Sequence, residues 1–257
     1  MLKIKKVSGG YPANLIIKNM SFELNSGDLL FVIGPNGSGK TTLFKLMLGL
    51  LKKKSGDIQI DDIDGSKIKV EDFSKKIAYI PQQHEPVFDY TVKEMVLMGR
   101  TCHLGMFSVP SKEDVKKADE AIEFLNISAF KDREYGKLSG GEMQMVLIAR
   151  AICQQAKIII MDEPMMNLDY KNQRAVLSAI ELLLIQGYII IMSTHNMIHT
   201  GFKKAKVLLI KEGANAGFGK AENILTKNNL EKVYDVPMDV VKTKDSQGKT
   251  RFICIPL

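Results

Sequence analysis

The stretch Phe31-Val-Ile-Gly-Pro-Asn-Gly-Ser-Gly-Lys-Thr-Thr42 constrains the fold more than any other. Three apolar residues end a strand, a glycine-rich turn follows, and a lysine, two threonines and further apolar residues open a helix. Gly34 to Thr41 reads G-x-x-x-x-G-K-T, the phosphate-binding pattern called Walker A. Glycine accepts positive φ and carries no Cβ, so the backbone can wrap closely around an anion. Its N–H groups then point inward, and the following helix adds its positive end. Gly34, Pro35, Asn36, Gly37, Ser38, Gly39, Lys40, Thr41 and Thr42 are therefore the expected nucleotide contacts. Lys40 is expected on the β- and γ-phosphates and Thr41 on Mg²⁺. The alternative is a glycine turn that merely closes a strand–helix unit.

The 257 residues permit one large domain or two small ones, with a substantial core. The balance of 36 basic against 29 acidic residues gives +7. Such an excess serves solubility or contact with an anionic membrane surface. No dense Lys/Arg run interleaved with aromatics appears, so nucleic acid is not an expected partner. Cys102, Cys153 and Cys254 lie far apart and form no C-x-x-C pair, which points away from disulfide staples and zinc ribbons and toward a reducing compartment. No apolar run approaches the ~20 residues needed to span a bilayer, and the start lacks the apolar core of a signal peptide.

In chain order, 2–7 and 16–24 are expected strands around the turn Ser8-Gly9-Gly10-Tyr11-Pro12. A short strand over 29–33 leads into the phosphate loop, and a helix runs over about 40–50. Short strands follow over 57–60 and 77–80. From Thr91 to Cys153 the pattern is mostly helical, with capping boxes expected at Thr91/Glu94 and Ser111/Asp114. Apolar strands return over 157–161 and 188–192, with a helix over 172–184 between them. Continuous apolar strands alternating with helices predict a parallel sheet buried on both faces. One more strand is expected over 207–210. Two short helices near Glu222 and Asn229 and a hairpin over 240–244 and 251–255, turning at Ser246-Gln-Gly248, complete the chain.

Two further segments carry chemistry. Ile158-Ile-Ile-Met-Asp162-Glu163-Pro164 is an apolar strand ending in two carboxylates. Asp162 suits a Mg²⁺ ligand, and Glu163, pointing the other way on an extended chain, suits the orientation of an attacking water. Leu138-Ser-Gly-Gly-Glu142 opens an apolar helix, with Ser139 and Glu142 spaced as a capping box and Leu138 and Met143 as a staple. A cap does not need two glycines, which weaken a first turn. Bare backbone beside a serine hydroxyl suits a phosphate. His195 and His199 have the spacing of a helical metal pair, although His195 ends a strand. Adjacent Cys102 and His103 chelate poorly, the methionines read as core filler, and no N-K-x-D segment for guanine recognition is present.

On these residues the sequence resembles the ATP-binding-cassette (ABC) ATPases. Leu138-Ser-Gly-Gly-Glu142 matches their signature motif. Gln82, after Tyr79-Ile-Pro81, matches the Q-loop glutamine; Asn167-Leu168-Asp169 the D-loop; Ser193-Thr194-His195 the switch histidine; and Tyr11 the aromatic that stacks on adenine. The order is also the family's, and the resemblance covers nearly the whole chain. It implies an α/β fold, a P-loop NTPase cassette with a mixed, mainly parallel core sheet, an antiparallel β subdomain and an α-helical subdomain. Residues 1–237 would form the nucleotide-binding domain, the helical part spanning about 91–154, and 238–257 a short hairpin extension on it. ATP and Mg²⁺ are the implied cofactors.

The resemblance also implies a head-to-tail dimer with a second copy, each ATP held between Walker A of one subunit and the signature of the other. Ser139, Gly140 and Gly141 would then contact the γ-phosphate in trans. Glu163 would polarise water, His195 would hold the γ-phosphate, Asp169 of the D-loop would be among the nucleotide contacts, and Gln82 would link Mg²⁺ to the helical block. A finer likeness, to the ATPases of iron–siderophore, haem and cobalamin importers, rests on Tyr79-Ile-Pro-Gln-Gln83, Thr91 to Arg100, Val146 to Ala151 and the tail around Glu222 to Val236. Implied partners are transmembrane permease subunits and, indirectly, an extracytoplasmic substrate-binding protein, with the chain on the cytoplasmic face of the membrane. A soluble ABC ATPase in iron–sulfur assembly or another non-transport role is the alternative. The chain departs from the pattern at Met165-Met166, where the family has Thr and a small residue, and at Met145, where Arg is common.

Overall fold

The computed structural model describes residues 1–257 except 13, 62, 65–69, 83–87, 106, 201, 203, 204, 247 and 249, and except the side chains of 64, 70, 71, 198 and 199. In chain order its elements begin with β1 Leu2–Tyr11, β2 Asn14–Leu24, β3 Leu29–Ile33, α1 Lys40–Met47, β4 Lys53–Ile60, β5 Ile63–Asp64, α2 Val70–Lys76 and β6 Ile77–Ile80. The helical stretch holds α3 Val92–Leu97, α4 Lys112–Phe124 and α5 Gly140–Cys153. Then come β7 Ile158–Met161, α6 Tyr170–Ile185, β8 Ile189–Ser193, β9 Ala205–Lys211, β10 Ala214–Lys220, α7 Ala221–Ile224, α8 Lys227–Tyr234, β11 Met238–Lys244 and β12 Thr250–Pro256.

The chain divides into two compact units, residues 1–69 with 187–257, and residues 70–186. In the first unit the strands run β5-β4-β1-β2-β10-β9-β3-β8. β3 lies parallel between β8 and β9. All its residues and all those of β8 are buried, which is why both strands read as unbroken apolar runs. The β1, β2, β4 and β5 end is antiparallel and alternates buried with open positions. The expected mixed α/β architecture is present.

β1 is longer than the sequence predicts, and its physics explains why. Leu2, Ile4 and Val7 are buried, so the inward phase slips by one residue at Lys6, whose φ is 47°. That slip is a bulge, and it shifts the register against both neighbours. Ser21 Oγ accepts the Lys6 N–H at 2.8 Å, and Ser8 Oγ accepts the Asn19 N–H at 2.9 Å. The expected turn over Ser8 to Pro12 is thus mostly strand. Gly10 is held so tightly that a Cβ there would sit 2.3 Å from the Asn14 carbonyl oxygen.

α1 stops before the expected residue 50. Gly49 takes φ 70°, and Leu50 N–H turns back to the Lys45 carbonyl at 2.9 Å, closing the C-terminus. β10 and α2 are elements the sequence reading did not contain. At the C-terminus β11 and β12 pair antiparallel and bury Met238 and Phe252. β12 packs on the 3₁₀ turn Met197–Thr200. Gly248, in the expected turn, has φ 73°, while Gln247 of that turn lies outside the described residues.

In the second unit β6 and β7 pair in parallel, Tyr79 opposite Ile160. The expected capping boxes of α3 at Thr91/Glu94 and of α4 at Ser111/Asp114 are both present. Behind them Arg100 Nε donates to Asp114 Oδ1 at 2.9 Å, and its Nη1 donates to the Cys153 carbonyl at 3.0 Å and to Gln155 at 2.9 Å. Arg100 is buried, and these bonds join α4 to the end of α5. Gly99 is required beside it, because a Cβ there would lie 2.3 Å from the Arg150 carbonyl oxygen.

Candidate functional site

Two groups of predicted residues stand in the two units, and each is built locally. In the first unit the phosphate loop leaves buried β3 and enters α1. Gly34 has no room for a side chain: a Cβ would meet the Ile210 carbonyl oxygen at 2.3 Å. Gly39 is the N-cap of α1 at φ 105°, and no side chain caps the helix. Its first turn contains no acidic residue. Gly37 has φ 77°, and a Cβ there would meet nothing within 4 Å. The loop is therefore fixed from below and open above.

The polar atoms of the loop match a phosphate. Ser38 is 3% exposed, and its Oγ has no hydrogen-bond partner among the described residues. A buried hydroxyl left so costs about 1–3 kcal/mol unless a ligand satisfies it. Lys40 is buried, and its Nζ donates to the Gly34 carbonyl at 2.8 Å and the Pro35 carbonyl at 3.0 Å. Its ammonium thus lies folded across the loop. Thr41 is exposed and Thr42 buried; Pro35 is half-buried and Asn36 exposed.

A buttress that sequence reasoning missed holds the loop. The β9–β10 hairpin turns at Glu212-Gly213, φ 48° and 76°. Gly213 N–H donates to the Ser38 carbonyl at 3.0 Å, and Lys18 N–H donates to the Gly213 carbonyl at 2.9 Å. A Cβ on Gly213 would fall 1.5 Å from the Ile16 carbonyl oxygen, so no other residue fits. The signal was a two-residue Glu-Gly turn between paired strands, the geometry of a two-residue hairpin.

Tyr11 is 46% exposed, with Lys45 Nζ over its ring at 5.7 Å from the centroid. Its hydroxyl accepts from Lys45 Nζ at 3.2 Å. Ser193 and Thr194 are buried at the end of β8, and exposed His195 follows them. Thr194 Oγ1 accepts the Asn196 N–H at 3.0 Å and so shapes the histidine's turn. The side chain of His199, its suggested chelating partner, lies outside the described residues. His103 Nε2 is engaged with the Gln154 carbonyl at 2.9 Å.

In the second unit Asp162 follows buried β7 and is 4% exposed. Its N–H donates to the Ile80 carbonyl at 2.9 Å, extending the strand pairing by one residue. Tyr79, half-buried on β6, is hydrogen-bonded to the Asp162 side chain; burial first, then that carboxylate, push its phenol up to about 12. Tyr79 therefore stays a proton donor and orients the carboxylate, a role sequence reasoning did not give it.

Glu163 corrects one expectation. It is not on an extended chain but at φ 49°, because β7 has already ended and Met166 N–H closes a tight turn on the Glu163 carbonyl at 3.1 Å. Gln82 is brought to it, with Nε2 3.4 Å from Glu163 Oε2. Asp169 is the N-cap of α6: its Oδ1 accepts the Asn172 N–H at 2.8 Å.

The signature segment forms the expected capping box. Ser139 N–H and Oγ both donate to Glu142 Oε2 at 2.8 Å, and Ser139 Oγ accepts the Glu142 N–H at 3.4 Å. These bonds hold the Glu142 carboxyl below its ordinary value. The two glycines differ. A Cβ on Gly141 would lie 2.0 Å from Asn172 Cγ, so packing of α5 on α6 already demands glycine there. Gly140 is exposed, with nothing nearer than Leu168 Cδ2 at 3.7 Å, so its bare backbone has no packing explanation.

The donor set suits Mg²⁺–ATP. A helix start with no side-chain cap, a buried hydroxyl with no partner among the described residues and a loop lysine fit a polyphosphate. Thr41 in the first unit, and separately Asp162 and Gln82 in the second, carry hard oxygen donors of the kind Mg²⁺ takes. Among the described residues no group of three or more His, Cys, Asp or Glu is placed to hold a metal ion.

Comparison with known proteins accords with this chemistry. The family model for ABC transporters matches residues 17–166, more than half of the chain. The molybdate import ATP-binding protein MolC of Haemophilus influenzae is 36% identical over 239 residues, 92% of this chain and 89% of its own length. An iron chelatin transport ATP-binding protein of Helicobacter pylori, assigned as probable, is 32% identical over 243 residues, 94% of this chain and 95% of its own. A solved structure, an inward-facing transporter assigned to the metal-chelate type, aligns with a TM-score of 0.85 at 33% identity, covering 99% of this chain and 97% of that one. The chain is a member of the ABC transporter family, an ATP-binding cassette whose relatives include the ATPases of metal-chelate transporters.

Proposed function

We propose that this chain is the ATP-hydrolysing subunit of an importer for chelated iron or a related metal species. The observation that carries the nucleotide part is the buried Ser38 hydroxyl in a helix start without a cap of its own. Import, and the class of cargo, are supported by relatives named for molybdate and iron chelatin. Those names differ in cargo, one an oxoanion of molybdenum and one an iron chelate, so the reading is a class of metal-containing species rather than one compound. Relatives with transport names do not favour a soluble role in iron–sulfur assembly.

In this reading the loop from Gly34 to Thr42 holds the phosphates, Lys40 neutralises the β- and γ-phosphates, and Tyr11 stacks on adenine. Thr41, Asp162 and Gln82 serve Mg²⁺, which when bound offsets the charge of the phosphates. Glu163 takes a proton from water as its oxygen attacks the γ-phosphorus and the β–γ bridge breaks, giving ADP and phosphate. His195 holds the γ-phosphate. Ser139, Gly140 and Gly141 of a second copy close over it, and Asp169 is among the nucleotide contacts. Loss of the γ-phosphate loosens the pair and moves the permease. Among the described residues no helix is long and apolar enough to cross a membrane. We assign the chain to the cytoplasmic face, held there by permease subunits that an extracytoplasmic binding protein supplies.

Glu163→Gln tests the reading. It should keep ATP binding, slow hydrolysis about 10²–10⁴-fold and accumulate an ATP-bound dimer that co-purifies with a multi-span membrane protein. Turnover near the unsubstituted rate would overturn the role of Glu163. Recovery only as a soluble complex would overturn import.

A further inference from the structure

We propose that Met166 is a positioning residue, its thioether fixing the orientation of the Gln82 amide so that the carbonyl oxygen is the end offered to Mg²⁺. The proposal rests on the nucleotide reading above. Gln82 Nε2 lies 3.3 Å from Met166 Sδ and 3.4 Å from Glu163 Oε2. A carboxylate oxygen and a thioether sulfur are both acceptors, and an amide nitrogen carries two hydrogens. An amide oxygen in the same place would face two acceptors and donate to neither. The chemistry of the neighbours therefore fixes which end of the amide is which. With both hydrogens committed, the oxygen is the remaining ligand atom.

The thioether has a real share in this. The carboxylate contact is long for N–H···O, whose usual range ends near 3.2 Å. Held by that contact alone, the amide is free to turn over and present its nitrogen, which repels a cation. The fold delivers the sulfur on purpose-built backbone. Glu163 at φ 49° and Asn167 at φ 60° bracket a turn closed by the Met166 N–H on the Glu163 carbonyl. Met165 is 7% exposed and anchors that turn, while Met166 is 38% exposed and returns its side chain over it to Gln82. Met166 is also one of the positions where the chain departs from the pattern it resembles, where a small residue has no atom to reach the amide.

The test uses the full chain and a fluorescent ATP analogue, titrated with Mg²⁺ and again with EDTA. The variants are Met166→Leu, which keeps bulk and removes the acceptor, and Met166→Gln, which restores an acceptor at similar reach. The gain in affinity that Mg²⁺ gives should fall about 5-fold in Met166→Leu, the worth of one modest hydrogen bond. The EDTA affinity should stay unchanged, and Met166→Gln should recover most of the gain. An undiminished Mg²⁺ gain in Met166→Leu would overturn the proposal. So would an equal loss in Mg²⁺ and EDTA, which marks a packing role. If the unsubstituted chain shows no Mg²⁺ gain at all, the nucleotide reading fails and takes this proposal with it.

Discussion

Two serine–glycine helix starts stand in this chain, and they are solved in opposite ways. The start of α1 has Gly39 in left-handed backbone, no side-chain cap and a buried Ser38 hydroxyl with no partner among the described residues. The start of α5 has a serine whose hydroxyl and N–H both reach Glu142, so its donors are satisfied at home. The first needs an anion to be complete, and the second does not. A helix start that leaves its donors open can bind a phosphate unaided. One that has capped itself offers its exposed backbone at Gly140, and its serine hydroxyl only to a ligand that displaces Glu142. In the proposed function this contrast is what lets one cassette hold a nucleotide in its own loop and complete the enclosure with a second copy.

The comparison can be broken at several points. Lys40→Ala removes the single cation of the open start. A charge-assisted contact of about 3 kcal/mol sets the expected loss of ATP affinity near 100-fold, measured by equilibrium binding. Ser38→Ala is subtler and sharper. It should weaken ATP about 10-fold, since the hydroxyl has only the ligand to satisfy it. Thermal stability without nucleotide should not fall. A clear drop in stability would show that the hydroxyl already serves the fold, and the two starts would no longer differ in kind.

The smallest effect belongs to the closed start. Glu142→Ala should cost up to about 1 kcal/mol of thermal stability, the worth of a cap, and leave the ATP affinity of the single chain alone. The cost depends on pH with a definite sign. Glu142 titrates below its ordinary 4.5, because the Ser139 backbone and hydroxyl donate to its charged form. Its contribution is therefore present above that ordinary value and is lost as pH falls through the lower folded one. The stability difference between the two proteins should close in that acid window and stay constant above it.

How much of this was legible depends on range. Patterns spanning a few residues read directly: the phosphate loop, the capping boxes at Thr91, Ser111 and Ser139, and the apolar strands β3, β7 and β8. β10 was not legible, because Ala214-Asn-Ala-Gly-Phe-Gly-Lys220 carries little β-branched character and is strand by pairing with β9 and, at Ala214, with β2. Ser8 to Tyr11 read as a turn because a bulge is invisible in the alternation until both partners are known. Within the site the residue types were legible, but not the backbone of Glu163, which tertiary packing sets at φ 49°. Nor were Gly213 under the loop and Met166 on Gln82, contacts between segments far apart in sequence. Gly141 shows the converse: sequence reasoning gave it to a phosphate, and packing on Asn172 already requires it.

The central claim, that the open start binds ATP alone and the closed start acts only across a pair, is tested by Ser139→Ala in a Glu163→Gln background. ATP affinity is read on dilute single chains, and ATP-dependent dimerisation by analytical ultracentrifugation. Affinity should stay within about 2-fold, less than one modest hydrogen bond is worth, while the ATP-dependent dimer is lost. If dilute single chains instead lose affinity as far as Ser38→Ala does, Ser139 belongs to the nucleotide site of its own chain, and the claim is contradicted.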